Sequence, residues 1–132
     1  MTTNHKAASM SVVVYAKDMA KVAEFYRLTL GVSSIEEAGG FIMLAGNGVE
    51  LSVVRIPEQL ASTVVIANPP VVRESTPVKL SFLVPRLDAV RAAATATGGG
   101  LDPLDSAWSW RGMLHLDGFD PEGNVVQVRC MA

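Results

Sequence analysis

The chain has 132 residues, a net charge of −2, 49% hydrophobic and 18% charged residues, and one cysteine. This excludes a disordered chain, a basic surface for nucleic acid or anionic membrane, an intrachain disulfide and a cysteine metal cluster. A chain of this size buries roughly two thirds of its unfolded surface without staples, so one domain overall is expected.

Residues 1–10 (MTTNHKAASM) read as a flexible tail without the apolar core of a secretory signal. Ser11 to Ala16 is β-branched and aromatic, a strand. Asp18 is placed to cap a helix whose Met19, Val22, Ala23, Tyr26 and Leu30 recur at helical spacing, and Gly31 stops it. Strands follow over Val32–Glu37, Phe41–Ala45 and Val49–Arg55, separated by Gly39-Gly40 and by Gly46-Asn47-Gly48. Residues 57–77 hold four of the seven prolines and read as a connector, with at most a short edge strand around Thr63 to Ala67. Val78–Val84 is a strand. Leu87, Val90, Ala93 and Ala94 mark a second helix, closed by Gly98-Gly99-Gly100, which follows a helix and is a cap, not a phosphate loop. Leu101–Leu104 is a weak strand broken by Pro103, Trp110–Leu116 a strand, Asp120-Pro121-Glu122-Gly123 a turn, and Asn124–Arg129 the last strand.

The pattern strand, helix, three strands occurs twice, over residues 11–56 and 78–132. A Gly-Asn turn precedes the last strand of each half, which makes VELSV and VVQVR equivalent and pairs Glu50 with Gln127. This is an internal duplication. Cys130, beside the end of the last strand, reads as a small filler residue. With no apolar run near the ~20 residues that span a bilayer and a lone cysteine suited to a reducing compartment, cytoplasmic location is the default.

Three stretches carry a resemblance: YAKDMAKVAEFYRLTLG (15–31), VKLSFLVPRLDAVRAAATATGG (78–99) and FDPEGNVVQV (119–128). The chain resembles the vicinal oxygen chelate superfamily of glyoxalases, bleomycin-resistance proteins and extradiol dioxygenases. The resemblance implies an α+β fold of two βαβββ modules. Their strands form an open, curled mixed sheet around a central cavity, with the helices on the convex side. Alternation gives each strand two faces, and the resemblance identifies the cavity face. It carries Ser11, Val13 and Tyr15; Glu50, Ser52 and Val54; Lys79 and Ser81; and Gln127 and Arg129.

The resemblance also implies a divalent-metal site on the first and last strand of each module. The corresponding positions here are Ser11, Glu50, Lys79 and Gln127. Glu50 is the one strong ligand, and the Lys79 ammonium, with no acceptor, repels a cation. A degenerate site without metal is therefore expected, with no cofactor, and an ion pair between Lys79 and Glu50 is expected to take the ion's place. His115 shares a phase with Met113 and Asp117. It is expected to be a cavity wall residue, the other reading being a general base oriented by Asp117. His5 lies in the tail. Trp108 and Trp110 are placed to stack on a planar, apolar or cationic ligand, with Tyr15 opposite. Arg111 and Arg129 read as surface, or as contacts to an acidic group.

Two functions stand against each other. One is a small-molecule binder of sequestration or resistance type, a homodimer whose cavity residues are Tyr15, Glu50, Ser52, Lys79, Ser81, Trp108, Trp110, His115, Gln127 and Arg129. The other is a metal-dependent lyase, isomerase or dioxygenase of glyoxalase type with Glu50 catalytic.

Overall fold

The computed structural model describes Ala8 and residues 10–132. His5 and the rest of the expected tail lie outside the described residues.

The first half builds β1 (Ser11–Ala16), α1 (Met19–Leu30), β2 (Ser33–Ala38), β3 (Phe41–Gly46) and β4 (Val49–Arg55). Asp18 caps α1 as expected, its side chain accepting from the Lys21 amide at 3.1 Å, and Gly31 ends the helix in the left-handed region at φ 66°. The second half builds β5 (Leu80–Leu83), α3 (Leu87–Ala96), β6 (Gly100–Leu101), β7 (Trp108–Trp110), β8 (Met113–Phe119) and β9 (Val125–Met131). Between them, α2 (Glu58–Ala61) is a single helical turn, and no strand forms over 63–67. The expected edge strand is thus replaced by a one-turn helix and irregular chain.

Two mixed sheets result, ordered β1-β4-β3-β2 and β5-β9-β8-β6, with β7 also paired to β8. They form no closed barrel. β1 runs parallel to β4 and β5 parallel to β9. Each parallel pair needs a crossover, which α1 and α3 begin. The duplication is therefore real at the level of pairing, and β7 is an addition to the second module. Trp110 does not continue into the strand that follows it. The chain reverses at Arg111 (φ 53°) and Gly112 (φ 76°), so the expected strand Trp110–Leu116 is instead a hairpin.

The convex faces of both sheets and one face each of α1 and α3 form a single buried cluster. Phe25, Tyr26, Leu44, Leu51, Val53, Leu116 and Val128 are its centre. Burying a large apolar side chain contributes roughly 1.5–3 kcal/mol, so this cluster dominates stability.

The turn Asp120–Asn124 locks the modules together. Asp120 is fully buried. Its carboxylate accepts from the Tyr26 hydroxyl (2.7 Å), the Glu122 amide (2.9 Å), the Asn124 amide (3.0 Å) and the Asn124 side chain (2.9 Å). Glu122 reaches back to the start of α1 and accepts from the Lys17 amide (2.9 Å) and the Asp18 amide (2.8 Å). A carboxylate there also meets the positive end of the helix. Burial, then the charge of Asp120 and the hydrogen bond to it, hold the Tyr26 phenol well above its ordinary value of 10.0. The Asp-Pro-Glu-Gly-Asn motif is thus a structural clamp.

Candidate functional site

Strand register decides which side chains share the concave faces, because directly opposed residues point the same way. On the first sheet, Ser11 faces Glu50, Val13 faces Ser52 and Tyr15 faces Val54. Val13 and Tyr15 are exposed, at 54% and 62%. The Glu50 carboxylate accepts from the Ala8 amide at 3.1 Å.

On the second sheet the same logic gives three rows. Trp110, Met113 and Met131 form the first. Trp108, His115, Arg129 and Leu83 form the second. Asp117, Gln127 and Ser81 form the third.

The third row is a closed hydrogen-bond network. Lys79 donates to Asp117 at 3.0 Å, Gln127 donates its amide N–H to the same carboxylate at 3.1 Å, and the Ser81 hydroxyl donates to the Gln127 carbonyl oxygen at 2.7 Å. Asp117 cannot donate, so it fixes which end of the Gln127 amide faces it. The expected ion pair of Lys79 with Glu50 is therefore not what forms. The ammonium goes to Asp117, because Lys79 precedes β5 on the second sheet beside that carboxylate. Both side chains are about two fifths exposed (40% and 36%). The pair is solvent-screened and contributes on the order of 1 kcal/mol or less. Register also places Ser81, not Lys79, opposite Gln127, as Ser11 is opposite Glu50.

The second row is aromatic and cationic. His115 is 4% exposed. Trp108 stacks on its ring (centroids 5.6 Å apart, planes 17° apart), and Trp110 lies tilted at 5.7 Å. Nδ1 of His115 and Nη1 of Arg129 are buried without a hydrogen-bond partner among the described residues. Asp117 accepts from Lys79 and Gln127, and no hydrogen bond joins it to His115 among the described residues. Arg111, in the β7–β8 turn, lies over the Trp110 ring at 5.5 Å. The hairpin that brings both tryptophans onto His115 escapes a reading by period, since Trp108, Trp110, Leu114 and Leu116 keep one phase across the turn. Gly112 is the signal that could have revealed it.

The ten expected cavity residues do not surround one enclosed pocket. Tyr15 lines a groove of about 490 Å³ between β1 and the residues leading into β5, shared with Val12, Arg73, Thr76 and Val78. Lys79 lines a neighbouring one of about 420 Å³ with Asp117, Glu74 and Asp102. Glu50 and Ser52 belong to the first sheet, and Ser81, Trp108, Trp110, His115, Gln127 and Arg129 to the second. Among the described residues, no three His, Cys, Asp or Glu side chains converge as a metal site, and no helix is long and apolar enough to cross a membrane.

A family described as the glyoxalase-like domain matches residues 11–129. Solved structures share the fold. A glyoxalase/bleomycin resistance protein/dioxygenase family enzyme from Burkholderia phytofirmans aligns at 19% identity with a TM-score of 0.68, over 96% of this chain and all of that one. A hypothetical protein from S. aureus aligns at 16% identity and TM-score 0.66, over 96% and 95% of the two chains. A fosfomycin resistance protein from Listeria monocytogenes aligns at 11% identity and TM-score 0.65, over 97% and 96%. No curated protein matches the sequence. At these identities the structural likeness speaks for the fold alone. With two βαβββ units in the expected pairing and a match across nearly the whole chain, this protein belongs to the glyoxalase-like domain family of the vicinal oxygen chelate superfamily.

Proposed function

We propose that the chain binds a small organic molecule on its concave faces, as a homodimer, and that binding is its task in place of metal-assisted chemistry. The observation that carries the reading is the commitment of Gln127. Its carbonyl oxygen accepts from Ser81 and its amide donates to Asp117, so the group that would face an ion is already satisfied.

The donor set agrees. Taking the superfamily positions as the pairs opposed across the two parallel ladders, Ser11 with Glu50 and Ser81 with Gln127, gives one carboxylate, one amide and two neutral hydroxyls. A divalent ion needs several deprotonated or strong lone-pair ligands, and the Lys79 ammonium one row-end away adds repulsion. These residues do not fit the ion.

Exposed apolar side chains support the binding half of the proposal. Val13, Tyr15, Leu83, Trp110 and Met131 are between half and three quarters exposed, all on concave faces. Isolated exposed apolar residues are common, but a shared face of them suits a ligand or a second copy. The proposed role is of resistance or sequestration type; the Listeria monocytogenes neighbour is named for fosfomycin resistance.

Trp108 and Trp110 are the only tryptophans, so intrinsic fluorescence reports on the second sheet. A screen of planar aromatic compounds, cationic, neutral and anionic, should yield saturable quenching that is unchanged by EDTA. Quenching that vanishes with EDTA and returns with Mn²⁺ or Zn²⁺ would favour the alternative, a glyoxalase-type metalloenzyme acting through Glu50.

A further inference from the structure

Resting on that binding reading, we propose that Arg129, with His115 beside it, is the anion-recognising end of the site, and that the ligand is a planar aromatic acid. The carboxylate takes the guanidinium while the ring lies along Trp108, Trp110 and the two methionines.

The other cations of this face have company: Lys79 is held by Asp117, and Arg111 lies over the Trp110 ring. Asp117 holds both Lys79 and Gln127. The Arg129 side chain makes no ion pair among the described residues, and its Nη1 is cut off from solvent without a hydrogen-bond partner. Its neighbours across the strands are His115 and Leu83, and the flanking row is Trp110, Met113 and Met131. A cation in such a setting is costly unless an anion meets it. Guanidinium presents paired donors that match a carboxylate bidentately. The unpartnered Nδ1 of His115, directly opposite, supplies a further polar contact in the tautomer that carries its proton there.

The row also has a part that can yield. Trp108 is 41% exposed, and β7 is hydrogen-bonded only to β8. Its indole is offset-stacked on the imidazole, where a ligand ring can stack in turn. The unanswered charge here is positive, so an acid is favoured over the cationic ligand that tryptophans alone would suit.

The test uses the full chain, 1-naphthoate and its uncharged isostere 1-naphthamide, read by tryptophan quenching. Naphthoate should bind at least 10-fold more tightly than naphthamide. Arg129→Met should remove that preference, weakening naphthoate at least 10-fold while naphthamide is unchanged. Because it deletes an unanswered charge, it should leave the thermal midpoint of the ligand-free protein no lower. Arg129→Lys, which keeps the charge without the fork, should fall between. Naphthamide bound as tightly as naphthoate by the native chain would overturn the proposal while leaving the binding reading intact. No binding of either, nor of any compound in the wider screen, would overturn both. Arg129→Met that splits a dimer into monomers, with no carboxylate preference in the native protein, would assign the guanidinium to an ion pair between copies and overturn it too.

Discussion

Asp120→Ala should cost the protein at least about 3 kcal/mol of stability, since a buried donor left unsatisfied costs roughly 1–3 kcal/mol and four donors lose their acceptor. These are the Tyr26 hydroxyl, the Glu122 backbone amide, and the backbone and side-chain amides of Asn124. Asp120 has no exposed surface, so water reaches the vacated position only if the turn opens. Opening it would also move Glu122 off the two amides at the start of α1. Against a typical total of about 5–15 kcal/mol, the variant would be marginal. Urea unfolding followed by circular dichroism measures the loss. A decrease below about 1 kcal/mol, the size of an ordinary exposed hydrogen bond, would show that the clamp is not what joins the modules.

The second large effect is expected at Gly123. Its φ is +86°, and a Cβ there would lie 2.1 Å from the Val71 carbonyl oxygen. The left-handed backbone alone costs a side chain about 1–3 kcal/mol, and forced repacking adds about 1–3 kcal/mol. The obstacle is main chain, held by the Arg73 amide donating to the Gly123 carbonyl at 2.8 Å, so no side chain can rotate away. Gly123→Ala should therefore either fail to fold or unfold at clearly lower urea, with the connector released from the turn. Gly112→Ala is the comparison. That glycine also has positive φ (+76°), but nothing lies within 4 Å of its Cβ position. Only the backbone cost applies, and its loss should be the smaller of the two. Equal losses at both positions would mean that contact with Val71 carries no weight.

Together these variants explain why the Asp-Pro-Glu-Gly-Asn stretch is the most telling part of the sequence. It identifies the fold because it builds the fold. Asp120, Glu122 and Gly123 each meet a different piece of the chain: Tyr26 on α1, the amides before α1, and the connector at Val71. None of the three is among the residues brought to the concave rows.

Much of the architecture was legible because local signals agreed with the global one. Asp18 and Gly31 bracket α1 where capping chemistry says they should. The 2-residue period of β1, β4 and β9 sorts buried from exposed faces correctly. Two failures had one cause, that pairing partners cannot be read from a single strand. Counting from strand beginnings set Lys79 against Ser11. The actual ladder begins at Leu80 and puts Ser81 opposite Gln127. Likewise, the shared phase of Trp108, Trp110, Leu114 and Leu116 looks the same whether the chain continues or turns back between them. Only the left-handed Arg111 and Gly112 distinguish the two. That turn places Trp108 on His115, so the aromatic half of the site was beyond reach of a reading by period. The short helix Glu58–Ala61 is a single turn with no buried residue, too brief for any periodic signal.

The proposed binding role requires that the superfamily's metal positions hold no ion here and that the concave face binds without one. The most direct measurement is the metal content of the purified full chain by mass spectrometry, followed by calorimetric titration with Mn²⁺, Fe²⁺, Ni²⁺ and Zn²⁺. No stoichiometric ion should be found, and only weak binding, unchanged by Glu50→Ala. One tightly held ion per chain, lost on Glu50→Ala, would contradict that role: the Ser81–Gln127–Asp117 network would then have to open around a metal, and the protein would have to be assayed as an enzyme.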